Sequence, residues 1–246
     1  MRVLGTGERL LGTPMDRARG LTDILRDRRL RAAFGRALPS FLLRSRWFGG
    51  KDRGLRSVRV REVLSLGRGP AALALVRVAY QGGGSQTISL PLTVVSGPAA
   101  RRVPQAALVM PLALEDGAAA LVDATADAAA VEQVLALLDR KEPSAPLAIT
   151  RLPRYASLRG AGRLEGRAQG VDQSNTSIRY GQRLVLKLFR RLEPGQNPEF
   201  ELGKAFAATG FSSVPPLAAA IEYAPPGGQR WTLAVVHGFV PNRGDG

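Results

Sequence analysis

The chain has no cysteine, so disulfides and thiolate metal sites are excluded, and the expected compartment is a reducing cytoplasm. Histidine occurs once, at position 237, which rules out any site built from two or more imidazoles. No apolar run approaches the length of a membrane span, and Leu10-Leu11 is too short for a signal-peptide core. Lysine is scarce (Lys51, Lys141, Lys187 and Lys204), so the net charge of +15 is carried almost wholly by arginine. No G-x-G-x-x-G occurs, so a glycine-rich phosphate loop of that form is absent.

The positive charge is concentrated. Residues 1–68 hold 17 basic and 6 acidic side chains, while the rest of the chain is close to balanced. Such a third could meet nucleic acid. It has no nucleic-acid motif and few aromatics placed for stacking, so a solvated face or an acidic protein partner is expected instead.

The most informative stretch is 173–201. It holds the polar run Gln173-Ser174-Asn175-Thr176-Ser177, then Leu184-Val185-Leu186-Lys187-Leu188-Phe189, then Asn197-Pro198-Glu199-Phe200-Glu201. The second run reads as a strand, and its lysine must be paired or solvated, because an unpaired buried ammonium is costly. Asn197 and Pro198 form a helix start, with both glutamates in the first turns. Glu201 is the expected partner of Lys187, with Glu199 held as a fallback. A strand lysine paired to a glutamate on the next helix is how protein-kinase-like enzymes hold ATP phosphates. A lysine snorkelling from an edge strand would carry the same pattern.

The rest of the chain reads as follows. Residues 1–20 are expected to be a flexible leader. Thr22 caps a helix beginning near Asp23 and ended by Pro39. Three strands follow, at 55–66, 71–80 and 86–95, the last two joined by a glycine-rich hairpin turn. These form an N-terminal cap of helix plus antiparallel meander, spanning 21–97. An intermediate region, 98–170, contains strands at 107–114, 119–123, 147–152 and 155–158, a helix at 128–141 and a loop at 159–170. Residues 171–246 form a hairpin, a helix at 197–208 and a strand pair at 217–223 and 231–236. The fold class expected is α+β.

The block Gln173–Glu201, with Arg190-Arg191 and Pro194-Gly195 inside it, closely resembles the bacterial maltokinases, including the maltokinase half of trehalose synthase–maltokinase fusions. Leu38-Pro39 with Arg46-Trp47-Phe48-Gly49-Gly50-Lys51 is similar to that family's N-terminal signature. His237-Gly238-Phe239-Val240-Pro241-Asn242 is similar to its hinge. The resemblance implies a kinase-like N-lobe over 171–246 with one αC-like helix. It implies ATP contacts at Gln173, Ser174, Asn175, Thr176, Lys187 and Glu201, and adenine contacts with hinge backbone around Val236 and Gly238. His237 is expected to be an ordinary hinge residue.

The reaction implied is maltose plus ATP giving maltose 1-phosphate, with Mg2+ as cofactor and a place in carbohydrate metabolism and glycogen biosynthesis. The family's catalytic base and magnesium ligands lie in a histidine-glycine-aspartate and an aspartate-phenylalanine-glutamate segment, and neither motif occurs here. Asp172 and Asp245 do not replace them. The expectation is therefore an N-terminal part that is inactive alone. A non-catalytic docking module, binding a trehalose synthase partner through its basic cap, is the alternative reading. No nucleic acid and no membrane are expected as partners.

Overall fold

The computed structural model describes residues 21, 25, 27–67, 69–114, 117–140, 145–172 and 174–241. The expected leader 1–20, the expected helix start at Thr22 and Asp23, Gln173, Asn242 and Asp245 lie outside them. Among the described residues no helix is long and apolar enough to cross a membrane.

The fold is α+β, built from two antiparallel six-stranded sheets. The first has the order β1 (Leu55–Ser65), β2 (Ala72–Tyr80), β3 (Ser85–Ser96), β5 (Gly117–Asp123) and β4 (Leu108–Leu114), with β10 (Arg191–Leu192) added beside β3. The second has the order β6 (Leu147–Arg151), β11 (Leu217–Tyr223), β12 (Trp231–Gly238), β9 (Leu184–Phe189), β8 (Asn175–Tyr180) and β7 (Gly166–Asp172).

Helix α1 (Arg28–Arg44) covers the outer face of the first sheet with Phe34, Leu38, Phe41 and Leu42. It is capped by Asp27, whose carboxylate accepts from the N–H groups of Arg29 and Leu30. The helix does not stop at Pro39 as expected. A proline inside a helix costs about 3 kcal/mol. Phe41 and Leu42 beyond it are essentially inaccessible to solvent, and burying two such side chains contributes about 3–6 kcal/mol. Packing prevails over the proline.

Strand β2 is buried on both faces. Ala72, Ala74, Val76 and Val78 face α1, whereas Leu73 and Leu75 face the second sheet. Between the sheets lies α2 (Ala128–Asp139), capped by Asp127, with Val131, Leu135 and Leu138 in the shared core. The β2–β3 turn passes through Gly83 (φ 86°) and Gly84 (φ 74°), a backbone conformation that only glycine adopts readily.

Strand pairing runs across the expected boundaries at 97 and 170. Strands β4 and β5 complete the first sheet, so that sheet continues to Asp123. Strands β6 and β7 form the two edges of the second. The expected intermediate region is thus shared between the sheets and has no sheet of its own.

Two local expectations fail. Residues 155–159 form a short helix, α3 (Tyr155–Arg159), whose tyrosine hydroxyl donates to Asp139 at 2.6 Å. The expected loop 159–170 contains most of β7. There Gly166 lies so close to Val131 and Tyr180 that an added Cβ would fall 2.3 and 2.7 Å from them. Close approach requires the glycine, which composition alone had marked as loop.

Polar side chains link the sheets, among them Ser89 on β3, whose hydroxyl donates to the Phe189 carbonyl on β9, and two joints that use a carboxylate. The Tyr223 hydroxyl on β11 donates to Glu62 on β1, and burial, then that carboxylate, push its pKa up to about 12. The second joint is the ion pair of Arg190 with Asp123, at 2.8 Å.

Candidate functional site

Helix α4 (Pro198–Thr209) packs on β11 and β12, on the face of the second sheet turned away from the first. Its start is anchored. The Asn197 N–H donates to Thr232 on β12, and the Asn197 side chain accepts from the Glu199 N–H, each at 2.9 Å. The next residue after Glu199, Phe200, is fully buried. Helical rotation of about 100° per residue then sends Glu199 over the sheet and Glu201 to solvent.

Lys187 rises from the same sheet face, in register with Ser177 on β8 and Val235 on β12. Its ammonium lies 2.6 Å from Glu199 Oε2, with both side chains one-third exposed. The partner expected, Glu201, is exposed, and its place is taken by the fallback Glu199.

His237 completes the cluster. Its Nε2 lies 3.2 Å from Glu199 Oε1, and its Nδ1 lies 3.3 Å from the Pro215 carbonyl. Both ring nitrogens therefore face oxygen atoms. Glu199 divides its two oxygens between a lysine on β9 and a histidine on β12. The His237 hydrogen bond, aided by Lys187 and opposed by burial, holds the Glu199 carboxyl below its ordinary pKa of 4.5. His237 is thus more than the ordinary hinge residue expected. No local sequence signal marks it, because only the pairing of β12 with β9 places it on the same face as Lys187.

These groups sit at the wall of a cleft of about 680 Å³. Ser177, Val185 and Gly238 line it together with Phe206, and large exposed side chains (Leu202, Phe211 and Val240) stand around it. A cleft of this size, apolar with a few convergent polar groups, suits a small-molecule ligand.

The other expected contacts divide. Ser174 forms the exposed part of the β7–β8 turn, and Asn175 closes it opposite Asp172. The Thr176 side chain is on the wrong face. It is buried towards the first sheet, where its hydroxyl accepts from Arg190 Nε at 2.9 Å. Period-two alternation instead puts Ser177 in the cleft. Val236 is fully buried and flanked by β11 on one side and β9 on the other. Gly238, at the end of β12, does line the cleft. Among the described residues no three histidine, aspartate or glutamate side chains converge as a metal site.

Comparison with known proteins matches residues 41–127 to the maltokinase N-terminal cap domain. Among solved structures, crystal form B of a glucosamine kinase is similar with a TM-score of 0.51 at 19% identity, over 86% of this chain and 40% of that one. Crystal form A gives 0.48 at 21% identity, over 76% and 35%. A glucosamine kinase in complex with glucosamine, ADP and inorganic phosphate gives 0.48 at 22%, over 75% and 36%. The chain spans about 35–40% of the length of these structures. Residues 41–127, which hold β1 to β5 of the helix-capped first sheet, are thus similar to the maltokinase N-terminal cap domain, and the chain shares its fold with part of a glucosamine kinase.

Proposed function

We propose that the second sheet and α4 form the nucleotide-binding lobe of an ATP-dependent sugar phosphotransferase, with maltose as acceptor and maltose 1-phosphate as product. The observation that carries this reading is the Lys187–Glu199 pair on the wall of the cleft. Lys187 supplies a fixed positive charge for phosphate oxygens, and Glu199 keeps its ammonium aimed into the cleft. Ser177 offers a hydroxyl beside it, and the backbone of the β7–β8 turn supplies further donors at the same end of the sheet. The adenine would lie along β12 near Gly238.

In the transfer, the anomeric hydroxyl oxygen of the sugar bonds to the γ-phosphorus, the bond to ADP breaks, and the hydroxyl proton leaves to a base. The histidine-glycine-aspartate and aspartate-phenylalanine-glutamate motifs that the resemblance links to that base and to magnesium do not occur in this sequence. The family resemblance assigns them to a following lobe. The chain by itself is therefore expected to bind nucleotide without turning over maltose.

Titration calorimetry of the 246-residue chain with ATP tests the binding half. The wild type should bind, and Lys187→Met should weaken binding roughly tenfold or more, equivalent to about 1.4 kcal/mol. Equal affinities for the two would overturn the assignment. Sustained maltose 1-phosphate formation by this chain would overturn the proposed inactivity.

A second, compatible reading is docking to a trehalose synthase partner through the cap. Arg59 on β1 and Arg77 on β2 are direct cross-strand partners, and like charges so placed repel. With Arg56 and Arg61 they line an open depression of about 690 Å³. An acidic partner surface would relieve that repulsion.

A further inference from the structure

Arg190 occupies the corner where the chain leaves the second sheet at β9 and enters the first at β10. It is 1% exposed. Its guanidinium donates from Nη2 to Asp123 and to Thr125 Oγ1, and from Nε to Thr176 Oγ1. The same plane lies 4.7 Å from the centre of the Trp47 ring. Trp47 in turn meets Phe41 of α1 and Phe48 edge-on. Arg190 also acts through its backbone. Its N–H donates to the Ser174 carbonyl at 2.9 Å, and its carbonyl accepts from the Ser89 N–H on β3.

One residue therefore holds the β7–β8 turn at two points, the Ser174 carbonyl and the Thr176 hydroxyl, while its own side chain is held by the cap. Stability alone is a poor account of it. Nη1 is buried without a hydrogen-bond partner, and a buried ion pair is often no better than an apolar replacement of the same volume. Fixed geometry is the better account, because a guanidinium with bonds in three directions leaves its neighbours one arrangement.

We infer that Arg190 is a positioning residue that makes the order of the β7–β8 turn depend on the cap, through Trp47 and Asp123. This rests on the nucleotide reading only for its consequence: a turn released from Arg190 presents its backbone donors to phosphate less well. The coupling itself is a property of the chain without ligand.

Hydrogen exchange on the 246-residue chain tests it. Thr176→Val keeps the side-chain shape and removes the acceptor. Arg190→Lys keeps a cation beside Asp123 and loses the bond to Thr176. Trp47→Leu alters only the cap side and does not touch the turn. Each should speed exchange across residues 174–177 roughly tenfold more than it speeds exchange in α2, with the melting temperature lowered in each because a buried contact is removed. Turn protection unchanged in both Thr176→Val and Trp47→Leu would overturn the proposal, even if Arg190→Lys did not fold. A faster turn in Thr176→Val with no change in Trp47→Leu would reduce Arg190 to a local support and overturn the link to the cap. ATP added to the wild type gives the separate reading. Protection of 174–177 by ATP supports nucleotide contact there, and its absence would defeat that contact while leaving the coupling standing on the Trp47→Leu result.

Discussion

Glu199 stands between Lys187 and His237, with one carboxylate oxygen 2.6 Å from the lysine ammonium and the other 3.2 Å from the imidazole. The carboxylate is thereby fixed from both sides, and the ammonium is fixed by the carboxylate. In a longer protein with phosphotransferase activity, Lys187→Met should remove most turnover. Glu199→Gln should reduce it less, since the lysine keeps its place by the cleft. Glu201→Gln should leave it within about twofold, because surface carboxylates away from such contacts change little. Steady-state rates of the three variants check the order, and a Glu201→Gln defect as large as that of Glu199→Gln would refute the geometry.

The pH dependence of stability has a definite sign. The folded-state pKa of Glu199 is lowered, chiefly by the His237 hydrogen bond. Its contribution is therefore present above the ordinary value of 4.5 and is lost as pH falls through the lower folded value. Thermal melts from about pH 6 down to about pH 3 should show a steeper loss in the wild type than in Glu199→Gln. Parallel curves would mean that the carboxylate gains nothing from its partners.

Pro39 is half-exposed within α1. Replacing it with alanine restores an N–H able to reach the Gly35 carbonyl. The gain, up to about 3 kcal/mol, is offset by about 0.4–1 kcal/mol from the looser unfolded chain. The variant should be more stable by about 1–2 kcal/mol in urea unfolding. A loss would show that the proline ring makes contacts the helix needs.

The arginine face of the cap should recognise protein and not nucleic acid. Binding of an acidic trehalose synthase partner should weaken as salt rises and be lost in Arg59→Glu/Arg77→Glu. A gel-shift series at physiological ionic strength should show no tight complex with DNA or RNA. Salt-sensitive nucleic-acid binding there would overturn the expectation.

Local chemistry made much of this fold legible. The Lys187 strand, the Asn197-Pro198 helix start and the three meander strands follow from short-range periodicity and capping, which operate within a few residues. The same locality explains what the sequence could not decide. Whether Glu199 or Glu201 meets Lys187 depends on the rotation of α4, which is set by Thr232 and by burial of Phe200, contacts made across the fold. That β4 and β5 close the first sheet while β6 and β7 edge the second depends on backbone pairing between distant segments, which leaves no mark in any one of them. His237 gained its role in the same way. Its neighbours in sequence are ordinary strand residues, and only strand pairing and the docking of α4 bring Glu199 to it.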